Sequence, residues 1–328
     1  MADIFALAGA NLISPMVLFF ALGFAAALAR SDLSFPEAAA KTLSLYLLFA
    51  IGFKGGAGVA EHGIDLKLGL TLGAGAVLSA AIPLIAFGIL RTVTRLSLVD
   101  AAAIAAHYGS ISIVTFVAAT SALASRGIEY EGYMVAVAAI METPAILVAL
   151  WLARSVIAER PTMGSDGGLM REIALNGSIV MLTGAFIIGW ITGPAGLAEV
   201  SGLISDPFKG VLCLFLLDMG LVAGRGMRSS ARHLAPPVIG FGLIMPLIGG
   251  TLGALTGALL GLSPGGVALL ATLSASASYI AVPAAMRVAL PEANPSIYLT
   301  LSLGVTFPFN LVLGIPLYIA LASMLAGG

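Results

Sequence analysis

Five serines, one glutamate and three neutral oxygen donors carry the chemistry available in an otherwise apolar sequence. Ser110 and Ser112 lie in the run Tyr108-Gly109-Ser110-Ile111-Ser112, and Ser274, Ser276 and Ser278 lie in Ser274-Ala275-Ser276-Ala277-Ser278-Tyr279. Both runs interrupt long apolar segments, and Ser110 and Ser112 match Ser276 and Ser278 at an offset of 166 residues. An interruption in hydrocarbon leaves backbone groups unpaired at several kcal/mol each, so it is tolerable only inside protein or along a polar cavity. Each break also exposes the start of a following half-helix, with free N–H groups and a partial charge of about +0.5. With hydroxyls added and no Lys or Arg inside either break, the chemistry suits a monovalent, oxygen-rich anion. The other reading of the serines is that they re-pair the freed backbone. Met141-Glu142-Thr143-Pro144 lines up with Val305-Thr306-Phe307-Pro308 at an offset of 164, which sets Glu142 against Thr306, and Asn310 follows. A carboxylate in mid-span is a functional-site hypothesis by default. It could coordinate Na⁺ together with Thr143, Thr306 and Asn310, carry a proton, or sit neutral in a structural hydrogen bond.

The elements that must position these groups follow from composition. Hydrophobic residues make up 59% of the 328 and charged residues 9%, against about 25% charged in a soluble domain. The chain therefore reads as an all-α, polytopic membrane protein, and its net charge of −1 gives no reason to expect a nucleic-acid partner. About twenty apolar residues span the hydrocarbon layer. Ten spans follow, near 12–29, 36–54, 66–90, 97–125, 132–154, 170–191, 206–225, 234–261, 264–290 and 296–324, the fourth and ninth broken. They divide into a first repeat (1–155), a cytoplasmic linker (156–169) and a second repeat (170–328). Five spans per half is odd, so the halves enter the membrane from opposite sides as an inverted repeat, a mark of secondary transporters. With both termini outside, inner loops carry eleven Lys and Arg and outer loops four, the bias expected of a plasma-membrane protein with cytoplasm on the basic side.

Other features carry less. Gly249, Gly253, Gly257 and Gly261 form a packing stripe. Cys213 reads as an inert buried thiol, His107 as a packing group or proton shuttle, and Asp218 as a partner of Lys209 or Lys54 or a group on an aqueous path. Arg287 reads as an interfacial anchor. A membrane-embedded enzyme is disfavoured: there is no HExxH, no GxSxG and no mid-span aspartate dyad. The same build could also serve another small anion, an organic acid, or cation/proton antiport, although antiporters usually place paired acids at the break and only Glu142 is near.

Four stretches carry a family resemblance: Ala106-His107-Tyr108-Gly109-Ser110-Ile111-Ser112, Met141-Glu142-Thr143-Pro144-Ala145-Ile146, Gly261-Leu262-Ser263-Pro264-Gly265-Gly266 and Pro291-Glu292-Ala293-Asn294-Pro295-Ser296. With them the chain resembles the sodium-dependent bicarbonate transporter family over nearly its whole length. The resemblance implies crossed broken helices in a core domain beside a gate domain, Na⁺:bicarbonate symport, a homotrimer, and a PII-like cytoplasmic regulator. It places the serines of both breaks, with their neighbours Tyr108, Gly109, Ile111, Ala277 and Tyr279, at the bicarbonate site, and Glu142, Thr306 and Asn310 on the cation side. Tyr279 stands where well-known members carry Asp, and the central linker is shorter than theirs.

Overall fold

The computed structural model describes residues 13–63, 65–154, 177–230, 235–279, 282–283, 286, 290 and 292–326. The expected linker 156–169, the start of the sixth expected span and Arg160, Arg171, Arg232 and Arg287 lie outside the described residues. All regular structure among the described residues is helical. The helices are α1 (Pro15–Leu28), α2 (Glu37–His62), α3 (Leu66–Val93), α4 (Leu98–Gly109), α5 (Ile113–Ala124), α6 (Met134–Met141), α7 (Thr143–Arg154), α8 (Gly177–Ile204), α9 (Phe208–Ser230), α10 (Pro236–Leu259), α11 (Pro264–Ala275) and α12 (Pro295–Ala326). Among the described residues, seven segments are long and apolar enough to cross a membrane, α4 with α5 counting as one; Pro15–Leu28, Met134–Ala149 and Pro264–Ala275 are shorter apolar helices.

Local chemistry sets the ends. Ser97 caps α4 by accepting the Asp100 N–H, Ser263 caps α11 by accepting that of Gly266, and Pro264 and Pro295 occupy first-turn positions where no N–H is needed. Gly193, at φ 62, bends α8 just before Pro194. The second expected span closes at Lys54, but α2 runs on to His62. The Lys54 ammonium lies 4.8 Å over the Phe208 ring, which keeps the charge within a continuing helix.

The helices form two groups. In the first, α1, α2, α8 and α9 pack through glycines: Gly23 against the Leu217 backbone, Gly220 against that of Phe20, and Gly56 against that of Phe186. In the second, α3 and α7 pack on α4 and α6 packs on α3, while α5, α10 and α12 flank α11. The groups meet where α9 lies on the first half of α12, where Phe20 stands edge-on to Phe307 at 5.2 Å, and where Gly58 meets Gly132.

Three glycines of the stripe, Gly249, Gly253 and Gly257, lie against Ser274, Leu270 and Val267 of α11, whereas Gly261 is a turn residue at φ 66 facing open space. A Cβ at Gly253 would stand 2.8 Å from the Ala271 Cα and 2.7 Å from Ser274 Oγ. Gly253→Val is therefore expected to push α10 off the end of α11 at about 1–3 kcal/mol. A melt in detergent should fall by several degrees, and an unchanged melt would contradict this packing.

Candidate functional site

The two breaks cross. α4 ends because Ser110 leaves the helix at φ −83, ψ 156, and α11 ends in the same way at Ser276, φ −84, ψ 162. The extended stretches that follow pair with each other: the Ser278 N–H donates to the His107 carbonyl at 2.7 Å, and the Ser112 N–H donates to Ser276 Oγ at 2.8 Å. Backbone freed by one break is thus satisfied by the other, which makes both tolerable at membrane depth. Ser276 Oγ also donates to the Leu273 carbonyl at 2.8 Å. Ser112 starts α5 by accepting the Thr115 N–H at 3.2 Å and its hydroxyl at 2.9 Å. Ser278 Oγ accepts the Val282 N–H at 3.5 Å.

The far ends of the broken helices are tied crosswise. At the start of α4, Asp100 accepts the Ser97 hydroxyl at 2.6 Å and the Asn294 N–H, ahead of α12, at 2.8 Å. At the start of α11, Ser263 donates its N–H and its hydroxyl to Glu131, ahead of α6, at 2.7 and 2.9 Å; Glu131 also lies 3.6 Å from Lys67.

Tyr108, Gly109, Ser110, Ile111, Ser112, Ser274, Ser276, Ala277, Ser278 and Tyr279 are all buried around the crossing. Three buried polar atoms on these segments have no hydrogen-bond partner: His107 Nε2, Ser110 Oγ and Ser274 Oγ; the Tyr279 hydroxyl lies beside Ser112. Each such atom costs about 1–3 kcal/mol, so three of them at one crossing make a place where a polar ligand gains. The Ser110 and Tyr279 hydroxyls are donors suited to an oxyanion, and Phe307 fixes the Tyr279 ring edge-on at 5.4 Å. His107 Nδ1 donates to the Ala103 carbonyl at 2.6 Å, which leaves Nε2 as an acceptor on the neutral ring. Its ring lies 4.4 Å from that of Tyr298. The start of α5 brings the positive end of a helix to the crossing.

Thr306 and Asn310 join the breaks through hydrogen bonds already made. Pro246 has no N–H for the Gly242 carbonyl one turn earlier, and the Thr306 hydroxyl supplies that bond at 2.7 Å. With its one hydrogen used there, Thr306 accepts from the Tyr108 hydroxyl. Asn310 Nδ2 donates to the Ala275 carbonyl at 2.9 Å, closing the end of α11, while its Oδ1 accepts from Tyr318 at 2.9 Å. The two residues sit in π-helical turns, Ser302–Thr306 and Asn310–Gly314, on either side of Phe307-Pro308-Phe309. Such turns recur at functional sites.

Glu142 and Thr143 stand elsewhere. They form the junction of α6 and α7, helices that pack on α3 and α4 rather than along residues 302–314. The structure therefore brings Thr306 and Asn310 to the second break and sets Glu142 on the flank of the first, where Ala145 packs against Gly109. Glu142 is half-buried at this junction. No cluster of three His, Cys, Asp or Glu occurs among the described residues, so the oxygen donors on view suit a hard monovalent cation better than a transition metal.

Ser79, Tyr318, Gly242 and Pro246 are site-framing residues that sequence reading passed over. Pro83 and Pro246, each lodged inside an apolar helix, were the available signal.

The family model of the Na⁺-dependent bicarbonate transporter superfamily matches the chain over residues 15–323. No curated protein is similar enough to match.

Proposed function

Because the chain belongs to the Na⁺-dependent bicarbonate transporter superfamily, we propose that it carries bicarbonate together with Na⁺ by alternating access. The carrying observation is the crossing of two non-helical segments that leaves buried serine hydroxyls without partners. In this reading Tyr108, Gly109, Ser110, Ile111, Ser112, Ser274, Ser276, Ala277, Ser278 and Tyr279 frame the anion. Ser110 and Tyr279 donate to it, and Ser276 holds the crossing together. Na⁺ binds on the flanks, with Glu142 and Thr143 beside the first break and Thr306 and Asn310 beside the second. One Na⁺ with one bicarbonate moves no net charge, which lowers the cost of passage through hydrocarbon. The role is transport, with no chemical conversion.

The group holding the breaks then acts as the core, and α1, α2, α8 and α9 act as the gate past which it slides. The crosswise ties at Asp100 and Glu131 support a core that moves as one body. Ten spans in two inverted halves, with both termini outside a bacterial inner membrane, complete the topology. A trimer and a PII-like regulator extend the same reading on family likeness alone.

Coupling is reciprocal: if bicarbonate raises Na⁺ affinity by some factor, Na⁺ raises bicarbonate affinity by the same factor. Binding of ²²Na⁺ to the purified protein is expected to tighten about tenfold or more when bicarbonate is added, a coupling within the usual 1–3 kcal/mol. Chloride should have no such effect. Sodium binding indifferent to bicarbonate would overturn symport.

A further inference from the structure

Ser79 lies in the middle of α3 and is fully buried. Its hydroxyl donates to the Met141 carbonyl at 2.5 Å and accepts the Ala145 N–H at 3.2 Å. In an uninterrupted helix those two groups would bond to each other, since they are four residues apart. The Ser79 hydroxyl is inserted between them, and a side chain inserted into the helical ladder bends the helix. The residues bracketed by this clip are Glu142, Thr143 and Pro144. Pro144 has no N–H for the Ile140 carbonyl, so the ladder fails there as well. Glu142, the first of the bracketed residues, takes only a long i−3 bond, to the Ala139 carbonyl at 3.4 Å.

The same helix reaches the first break. Pro83, one turn beyond Ser79, packs so closely on Gly109 that a Cβ there would overlap its ring, and Ala145 closes Gly109 from the other side. Ser79, Pro83, Gly109 and Ala145 thus form one row from the α6–α7 junction to the residue before Ser110.

We propose that Ser79 is the positioning residue of the cation side: its hydroxyl sets the bend that aims Glu142 and holds that bend in register with the first break. This rests on the reading of Glu142 as a sodium-side group. Without the hydroxyl, Ala145 and Met141 can bond directly, the junction straightens, and Glu142 rotates away from the direction it now has.

The test compares Ser79→Ala, Glu142→Gln and the unaltered protein in proteoliposomes. Sodium dependence is measured at saturating bicarbonate, and bicarbonate dependence at saturating sodium. For Ser79→Ala the half-saturating Na⁺ concentration is expected to rise about tenfold, one factor of ten in the binding constant. Maximal rate and the bicarbonate constant should stay within about twofold, a split that loss of folded protein would not produce. Should the alanine variant fail to insert, Ser79→Cys keeps the shape and weakens both hydrogen bonds, and a smaller shift in the same sense is expected. If Glu142→Gln alters the sodium dependence while Ser79→Ala or Ser79→Cys leaves it as in the unaltered protein, the positioning role is overturned and the cation assignment stands. If Glu142→Gln leaves sodium dependence intact, that assignment falls and this inference falls with it.

Discussion

Glu142→Gln is expected to abolish sodium stimulation of uptake or raise the half-saturating Na⁺ concentration by at least about tenfold, while the protein inserts normally. Two unit charges 4 Å apart at an effective dielectric constant near 20 attract by about 4 kcal/mol, and a half-buried carboxylate keeps part of that. Gln preserves shape and hydrogen-bonding capacity but removes the charge. The exchange changes neither the size of the half-buried side chain nor the helices around it, so folding should stay intact. The readout is the sodium dependence of bicarbonate uptake together with a detergent melt. Normal sodium dependence would move the cation site away from the α6–α7 junction.

Ser110→Ala carries the second large expectation, and it has two parts of opposite sign. The Ser110 hydroxyl is fully buried without a partner. Removing it takes away an unsatisfied group, so the ligand-free protein should melt at the same temperature or higher. If that hydroxyl donates to bicarbonate, its loss removes a hydrogen bond to a charged group, about 1.5–3 kcal/mol, and the half-saturating bicarbonate concentration should rise roughly tenfold to a hundredfold. Stability preserved at the expense of function is the usual signature of a site residue. Ser276→Ala gives the contrast. It strands the Ser112 N–H that Ser276 Oγ now accepts, so the melt should fall, at about 1–3 kcal/mol. Unchanged bicarbonate dependence in Ser110→Ala, with a lowered melt, would make the first break purely structural.

The contrast between these serines marks where sequence reading stopped. Breaks at 110–112 and 276–278 were legible because Gly and Ser in mid-span have no other explanation in hydrocarbon, and both segments are non-helical as expected. Which serine pairs backbone and which remains free was not legible. That depends on the crossing, and residues 112 and 276 touch only because two helices from opposite halves end at one point. Thr306 and Asn310 were legible as oxygen donors at the right depth. Their present use was not, since it depends on a carbonyl freed by Pro246 and on the end of α11. Glu142 was found because charge in a span is conspicuous. Which helices pack around it was not legible, because depth along a span says nothing about its neighbours. Ser79 was invisible for the opposite reason: a lone serine in an apolar helix is commonplace, and only the α6–α7 junction packed against it gives it a task.

Uptake of radiolabelled bicarbonate into proteoliposomes, with and without an inward sodium gradient, tests the central claim most directly. A Na⁺ gradient is expected to drive accumulation above equilibrium, an equal K⁺ gradient is not, and a one-to-one carrier should be indifferent to an imposed membrane potential. Accumulation that ignores the sodium gradient, or no bicarbonate movement at all, would contradict it.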